Sequence, residues 1–243
     1  MKKLKRKISS TAAALFITAL FIAAIAVIQM SPLSEPAGST SSGDYSKPTI
    51  IIDAGHGGID GGCVAFDGTP EKGINLSVSL YLRDILQSMG YNVVMTRDTD
   101  VSIYDKGVEG VGNQKKSDMN NRLSIINSYD NAVAVSIHQN QFTDSSYSGA
   151  QMFYSDTNDL SQNLATAVQS AFVKNIQPDN TREIKEIGND LYLLYYSNCP
   201  MIMAECGFLS NEEECLKLKS EDYQKQVAFT IACGINDFLS ENY

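Results

Sequence analysis

The stretch TIIIDAGHGG, residues 49–58, is a short β-branched run that ends in a glycine-rich loop. Such a run is typical of a strand that is buried on both faces of a sheet. Similar apolar runs predict four further strands, at residues 92–96, 132–137, 150–154 and 201–204. Apolar residues at helical spacing predict helices at residues 74–89, 119–126, 160–175, 211–218 and 221–239. Residues 191–195 are apolar but too few to assign to a strand or a helix.

The alternation of strands and helices predicts an α/β fold. We expect a single three-layer domain with a mostly parallel or mixed central β-sheet flanked by helices. In such sheets, ligands bind beside the carboxyl ends of the strands. Functional side chains are therefore expected just after the predicted strands.

Composition and charge exclude several classes of protein. The chain has 243 residues, of which 43% are hydrophobic, and this fraction is too high for a disordered chain. It carries 28 acidic and 19 basic residues, with a formal net charge of −9. Five of the basic residues lie within the first seven positions, so the rest of the chain is more acidic still. Phosphate backbones would repel such a surface, and we expect no nucleic-acid partner.

The first 47 residues predict export. A basic start at residues 1–7 precedes an uncharged apolar stretch at residues 11–28, an order typical of a signal sequence or a membrane anchor. We assign residues 1–30 to this segment, 31–47 to a flexible linker and 48–243 to the folded domain. The weakness of the only candidate cleavage site favours a retained anchor. The basic end stays inside, which places the domain on the outer face of the membrane.

The five cysteines predict free thiols rather than a disulfide framework. Their number is odd, and no C-x-x-C pair is present. An exported domain of this size does not need a disulfide for stability. We expect buried thiols, at least one of which is unpaired.

Two histidines and two glutamates are candidates for a shared site. His56 follows the first predicted strand and His138 ends the third, so parallel strands would place both at one edge. Imidazole is a common zinc ligand, although each histidine alone also fits a structural role. Glu71 opens the first helix and is the candidate third ligand, or a first-turn glutamate favoured by the helix dipole. Glu205 follows the apolar run at 201–204. A buried carboxylate is costly, so burial of Glu205 would indicate either a functional role or a salt bridge.

This set of side chains predicts a metal-assisted amide hydrolase. Two imidazoles and one carboxylate leave zinc an open coordination position, which is the catalytic pattern. Zinc lowers the pKa of a bound water and polarises a carbonyl. Glu205 can then act as general base on the water and as proton donor to the leaving nitrogen.

Five ordered motifs between residue 49 and the C-terminus resemble the zinc-dependent N-acetylmuramoyl-L-alanine amidases of the amidase-3 family. They are TIIIDAGHGG with DGG (49–58 and 60–62), EKGINL (71–76), TRD (96–98), SIHQN (136–140) and AECGFLSN (204–211). The resemblance implies that His56, Glu71 and His138 bind one zinc ion and that Glu205 is catalytic. It also implies a single α/β domain that cleaves the amide between the lactyl group of N-acetylmuramic acid and L-Ala of the stem peptide.

Two segments narrow the resemblance to the germination-specific amidases of spore-forming bacteria. They are SIHQNQF at 136–142 and GAQMFY at 149–154. This similarity implies removal of stem peptides from spore-cortex peptidoglycan on the way to muramic-δ-lactam, in the cell-wall or cortex compartment. The QNQ at 139–141 departs from the small residues common in autolysins. The acidic surface suggests that substrate capture depends on the anchor or on an activating protein partner.

Two residues are candidates for substrate contacts. Asn140 either donates a hydrogen bond to the substrate carbonyl or caps the loop after the third strand. Arg97 lies in a family motif, and a buried ion pair with a loop aspartate explains it equally well.

Three other functions are compatible with parts of the sequence. Cys63 or Cys206 could act as a nucleophile with His138, but neither is predicted at a helix N-terminus. A dinucleotide site is disfavoured because Asp60 stands where the last glycine of G-x-G-x-x-G would be. A non-catalytic domain that binds peptidoglycan or a partner protein is the remaining alternative.

Overall fold

The computed structural model describes residues 47–243. The predicted signal sequence or anchor at 1–30 lies outside these residues, as does the predicted linker at 31–47 except for Lys47. Six strands are present here: β1 Thr49–Ala54, β2 Val93–Met95, β3 Ala132–Asn140, β4 Gln151–Tyr154, β5 Lys185–Glu186 and β6 Met201–Phe208. The helices are α1 Glu71–Ser88, α2 Val111–Ile126, α3 Ser161–Asn175, α4 Tyr192–Tyr196, α5 Glu212–Lys219 and α6 Glu221–Asn242. From residue 47 onward, no helix is both long enough and apolar enough to cross a membrane.

The six strands form one mixed sheet in the order β2-β1-β3-β6-β4-β5. β1 pairs in parallel with β2 and β3, and β3 pairs in parallel with β6. β4 runs antiparallel to β6, and β5 is parallel to β4. The prediction of an α/β fold with a mixed sheet is confirmed. Because β1 and β3 are parallel, the residues that follow β1 and those late in β3 lie at the same edge.

Helices cover both faces of the sheet. The larger core lies under α1, α3 and α6, where alternate residues of β1, β3 and β6 point, among them Ile50, Val135 and Ile202. The smaller core lies on the other face, where Ile126 of α2 and Leu193 of α4 are buried. The second face is thus covered by fewer helices.

Several element boundaries differ from the predictions. β3 continues beyond Ile137 to Asn140, and β6 continues beyond Ala204 to Phe208, so His138 and Glu205 lie within strands. Helix α2 begins at Val111 rather than at Met119, because its first turns are polar and solvated and carry no apolar period. β5 was missed, since two exposed residues give no hydrophobic signal. The unassigned residues 191–195 belong largely to helix α4.

All five cysteines are free, as predicted. Three of them are buried, namely Cys199, Cys206 and Cys215, whereas Cys63 and Cys233 are half-buried.

Candidate metal centre and active site

His56 lies in the loop after β1 and has a left-handed backbone, with φ of 61°. Two arginines hold this loop in place. Arg122 donates from Nη2 to the carbonyl of His56 at 2.7 Å. Arg97 donates to the carbonyls of Ala54 and Gly55 at 2.8 and 2.9 Å. The backbone of the loop is therefore fixed by buried cations rather than by secondary structure.

The structure brings His56, Glu71 and His138 together. His56 Nε2 lies 3.2 Å from Glu71 Oε2, and His138 Nδ1 lies 3.0 Å from Glu71 Oε1. The two imidazole rings are 4.8 Å apart between centroids and are nearly perpendicular. One potential ligand atom from each of the three residues lies within 4.8 Å of the others. This is the convergence that the sequence predicted from strands β1 and β3 and the start of α1.

The Glu71 carboxylate is oriented by donors from three segments. Its Oε2 accepts a hydrogen bond from the amide of Cys63 at 2.9 Å. Its Oε1 accepts from the amide of Gln139 at 3.0 Å and from Asn75 Nδ2 at 2.9 Å. Asn75 lies one turn further along α1, so helix, loop and strand all fix the same carboxylate. Such outer contacts orient a metal ligand and are part of the site.

Two glycines make room for these side chains. A Cβ on Gly55 would lie 2.3 Å from His138 Nε2, so the imidazole ring packs directly on the glycine. Gly62 has φ of 72°, and a Cβ there would lie 2.5 Å from Glu71 Oε2. Glycine is thus required at both positions, because His138 packs on Gly55 and the Glu71 carboxylate packs on Gly62.

Asp60 orients His56 from the side opposite to Glu71. Its Oδ2 lies 2.8 Å from His56 Nδ1, and its Oδ1 accepts from Lys115 Nζ at 2.8 Å. A carboxylate on one ring nitrogen leaves the other nitrogen directed at the metal position, as in many metal-binding histidines. No role in the site was predicted for Asp60, although its place four residues after His56 in a glycine-rich loop was a usable signal.

The electrostatics of this cluster favour a bound cation. Burial opposes ionisation of Glu71, but hydrogen bonds and charges of His138 and His56 outweigh it and hold the pKa well below its usual range. For His56, burial acts to lower the pKa of the imidazole. Hydrogen bonds and charges of Glu71 and Asp60 outweigh burial and raise this pKa to about 9. A metal ion would take the place of the proton between the imidazole and the carboxylate, because metal binding requires neutral imidazole.

Glu205 lies next to this cluster on β6, directly opposite His138 in the parallel register. It is half-buried, and its Oε2 has no hydrogen-bond partner among residues 47–243. Burial raises the pKa of Glu205 to about 7; the charge of Glu71 acts in the same direction and that of His138 opposes it. A buried carboxylate oxygen without a partner is costly to maintain, which favours a reaction partner that arrives with the substrate.

The residues present fit a zinc ion. Two imidazoles and one carboxylate converge, and the unpartnered Glu205 lies beside them rather than completing a closed set of four ligands. Three protein ligands with an open position are characteristic of catalytic rather than structural zinc.

A buried ion pair beneath the loop was not foreseen. Arg122 lies 2.7 Å from Asp53 Oδ1 at the end of β1 and 2.6 Å from Asp118 Oδ2 on α2. Asp53 also accepts hydrogen bonds from Thr96 and Ser136, at 2.7 and 2.6 Å. Asp53 was visible in the sequence as an acidic residue directly after the apolar run at 50–52. Its partners could not be predicted, because they come from distant segments of the chain.

A cavity of about 210 Å³ opens beside the two histidines. Its wall away from the ligands is apolar and comes from Met119 of α2, Met203 of β6 and residues 191–194 around α4. The cavity therefore lies on the less covered face of the sheet.

The two predicted substrate-contact residues lie in different settings. Asn140 ends β3, and its carbonyl accepts from the amide of Leu209 at 2.8 Å. Arg97 is 3% exposed, and its four hydrogen bonds all go to backbone carbonyls. It lies beneath the loop that carries His56, and its role in substrate contact stays a prediction.

The cysteine alternative finds no support in the geometry. Burial raises the pKa of Cys63, and the charge of Glu71 raises it further. Burial likewise raises the pKa of Cys206, which is fully enclosed. Neither thiol is therefore activated as a thiolate nucleophile.

Comparisons with known proteins agree with the site. Residues 50–237 match the Amidase_3 family, described as N-acetylmuramoyl-L-alanine amidase. The germination-specific N-acetylmuramoyl-L-alanine amidase of Bacillus subtilis is 35% identical over 196 residues, which cover 81% of each chain.

Solved structures show the same fold. The CwlD amidase of Clostridioides difficile, solved in complex with the GerS lipoprotein, is 40% identical with a TM-score of 0.78. The match covers 81% of this chain and 100% of that one. A second amidase, from Clostridium difficile 630, is 30% identical with a TM-score of 0.69, and the match covers 81% of this chain and 99% of the other. The chain thus belongs to the Amidase_3 family of N-acetylmuramoyl-L-alanine amidases and is a peptidoglycan amidase.

Proposed function

We propose that this amidase depends on one zinc ion held by His56, Glu71 and His138, and that Glu205 is its general base. The observation that carries the proposal is the convergence of these three ligands beside the unpartnered oxygen of Glu205. Two imidazoles and a carboxylate with an open position support zinc chemistry. A structural cluster would instead be expected to satisfy all of its buried polar atoms.

Each group in the site has a separate role in the proposed hydrolysis. A zinc ion at this site would polarise the scissile carbonyl and acidify a water molecule. Glu205 accepts the proton of the attacking water and delivers it to the nitrogen of L-Ala as the amide bond breaks. A pKa of about 7, raised by burial, suits both roles near neutral pH. Asp60 and Asn75 hold His56 and Glu71 in position during the reaction.

We further propose that the substrate is spore-cortex peptidoglycan, from which removal of stem peptides leads towards muramic-δ-lactam. The similarity to a germination-specific amidase supports this role. Peptidoglycan lies outside the cytoplasmic membrane, so the proposal includes export, with an N-terminal signal or anchor. The solved relative in complex with a lipoprotein supports an additional protein partner for this chain.

Digestion of purified cortex and vegetative peptidoglycan by the full-length protein tests the activity. Mass spectrometry is expected to show glycan fragments that have lost whole stem peptides and released peptides that begin with L-Ala. A chelator should abolish the products, and added zinc should restore them. Products cut within the glycan or within the peptide would contradict the proposal, and release from vegetative wall alone would contradict the cortex role.

Metal analysis of ligand variants tests the zinc site. The His138→Ala variant is expected to lose both bound zinc and activity, because two remaining ligands rarely retain the ion. Lys106→Ala, at an exposed position, serves as the control and should keep one equivalent of zinc. Full zinc content in His138→Ala would exclude the proposed ligand set.

A further inference from the structure

The cavity beside the two histidines is bounded by helices α2 and α4 as well as by the metal site. Among the described residues, His56 and His138 line it, whereas Glu205 does not. Its volume of about 210 Å³ is below the roughly 300–1,000 Å³ of pockets that enclose a whole drug-sized molecule. A cavity of this size encloses a single unit of a polymeric substrate rather than a longer stretch.

Part of the cavity wall is apolar although water can reach it. The side chains of Met119 on α2, Leu191 before α4 and Met203 on β6 line the cavity, and each is only half-buried. Apolar side chains that border a cavity next to an active site are characteristic of a ligand pocket, because a bound ligand completes their burial.

Tyr192 adds an aromatic ring to this wall. It lines the cavity and is 36% exposed. Its hydroxyl donates to Asn120 Oδ1 at 2.9 Å, and its ring packs against that of Tyr196, with 4.9 Å between centroids. These two contacts fix the orientation of the ring. A pyranose sugar presents C–H groups on its faces, and a fixed aromatic ring packs well on such a surface.

The charge of the lining distinguishes the two halves of the substrate. Four of the lining residues are aspartates and one is an arginine, namely Asp53, Asp60, Asp118, Asp190 and Arg122. Arg122 and Lys115 together pair with three of these aspartates, so the balance stays negative. The stem peptide carries carboxylates, whereas N-acetylmuramic acid in amide linkage is uncharged. A negatively charged cavity therefore disfavours the peptide and accepts the sugar.

The order of the strands places the cavity on the acyl side of the scissile amide. β1 and β6 lie on opposite sides of β3. In the proposed reaction Glu205 on β6 delivers a proton to the nitrogen of L-Ala, so the peptide leaves on the side of Glu205. The lactyl group and its sugar then extend towards the loop after β1, from which Gly55, His56 and Asp60 line the cavity.

We propose that this cavity binds the lactyl group and the N-acetylmuramic acid ring, and that Tyr192 is a specificity-determining residue that packs on the sugar. The enzyme therefore requires the glycan half of its substrate and not only the amide bond. The inference rests on the proposed function, because the role of Glu205 sets the direction in which each half of the substrate lies.

The test compares two substrates that carry the same stem peptide. In one the peptide is attached to N-acetylmuramic acid, and in the other it is attached to the D-lactyl group alone. Wild-type protein is expected to have a kcat/KM at least about tenfold higher for the muramoyl peptide, since even one methylene group in an apolar pocket is worth about that much. Equal values for the two substrates would overturn the proposal.

Substitution of Tyr192 tests the residue itself. Tyr192→Ala is expected to lower the ratio of the two kcat/KM values by about 3- to 10-fold, the worth of one aromatic contact. Tyr192→Phe keeps the ring and should retain most of the ratio. Because a general loss of folded protein affects both substrates equally, it cancels in the ratio. An unchanged ratio in Tyr192→Ala would contradict the proposal.

Tyr195→Ala is the matched control. Tyr195 is also 36% exposed and also packs against Tyr196, with 5.0 Å between centroids. In the described structure it does not line the cavity, so its substitution should leave the ratio as in wild type. An equal fall of the ratio in Tyr195→Ala and Tyr192→Ala would show that the effect comes from α4 as a whole, which would overturn the role of Tyr192.

A binding experiment separates the inference from the role of Glu205. The released disaccharide of N-acetylglucosamine and N-acetylmuramic acid is titrated into wild type, Tyr192→Ala and Tyr195→Ala by calorimetry, which requires no hydrolysis. Tyr192→Ala should bind it about 3- to 10-fold more weakly than the other two proteins. This difference would support the cavity even if hydrolysis did not depend on Glu205. Equal affinities refute the inference even if Glu205 acts as proposed.

Discussion

The Glu205 carboxyl combines burial, an unpartnered oxygen and a neighbouring pair of imidazoles. Glu205→Gln keeps the shape of the side chain but removes its ability to take a proton. We expect kcat to fall by roughly 10²–10⁴-fold, the usual worth of a general acid–base group. Zinc content should stay at one equivalent, since Glu205 is not a proposed ligand.

The matched control is Glu212→Gln at the exposed start of α5, which should leave kcat unchanged. If Glu205→Gln hydrolysed muropeptides at the wild-type rate, the general-base role would be wrong. The alternative of a non-catalytic binding domain would then gain support.

The Asp60 carboxylate contacts the His56 ring directly. Asp60→Asn weakens the hydrogen bond that fixes the His56 ring, and we expect zinc affinity to fall by about 10- to 100-fold. Competition with a chromogenic chelator measures this affinity directly. Asp159→Asn, at an exposed position far along the chain, should bind zinc like wild type. Equal affinities in the two variants would show that Asp60 does not orient the ligand.

At the scale of elements, the glycine-rich loop between β1 and α1 is shaped around Glu71. Gly62→Ala would push a methyl group into the Glu71 carboxylate and strain a left-handed backbone. We expect a zinc affinity at least about tenfold lower, together with a lower midpoint of thermal unfolding. Both quantities are measurable on one preparation by metal titration and calorimetry.

Gly73→Ala provides the contrast within the same segment. Gly73 lies in α1, is exposed, and a Cβ there meets no atom within 4 Å. Because Gly73 lies in the first turn of α1, alanine there is expected to stabilise the fold by less than the roughly 1 kcal/mol of a helix interior, without any effect on zinc. A comparable loss of zinc affinity in Gly62→Ala and Gly73→Ala would show that the close approach of Gly62 to Glu71 is not what the zinc site requires.

The strands and helices that form the core were readable from their apolar pattern, whereas the functional ends of the strands were not. β3 and β6 were predicted to stop at Ile137 and Ala204, because His138 and Glu205 interrupt the apolar runs. The backbone in fact continues as strand, since these polar side chains point into the site from one face while the other face stays buried. The pattern of apolar residues indicates which part of a strand is buried. It does not indicate where the hydrogen-bonded pairing of that strand with its neighbours ends.

The convergence of the three candidate ligands was also predictable, because both histidines follow apolar runs whose parallel pairing places them at one edge. The residues that orient the ligands were not. Gln139 and Asn75 contact Glu71 through a backbone amide and a side-chain amide, and neither interaction leaves a compositional signal.

For the molecule as a whole, the buried Asp53 and Arg122 link stability to pH. Burial raises the pKa of Asp53, but Arg122, Ser136 and Thr96 outweigh burial and lower the pKa to about 2. Its folded-state pKa is thus below the unfolded value, so the ionised carboxylate stabilises the fold above about pH 4. That contribution, on the order of 2–3 kcal/mol, should be lost as the pH falls from about 4 towards 2.

Urea unfolding of wild type and Asp53→Asn at a series of pH values measures this contribution. The variant should be less stable by about 3 kcal/mol at neutral pH, because Arg122 loses a buried partner, and the gap should narrow below pH 4. Asp84→Asn, on the exposed side of α1, should track wild type throughout. A stability gap that does not depend on pH would show that Asp53 does not titrate with folding.

The reach of Arg122 has a mechanical consequence. One guanidinium binds the carboxylate of Asp118 on α2, the carboxylate of Asp53 on β1 and the carbonyl of His56 in the loop. Helix α2 therefore cannot tilt or slide independently of the imidazole-bearing loop, since a shift of even an ångström would stretch several short charged hydrogen bonds at once. A displacement of this helix is therefore transmitted through the Arg122 side chain to the loop that carries His56.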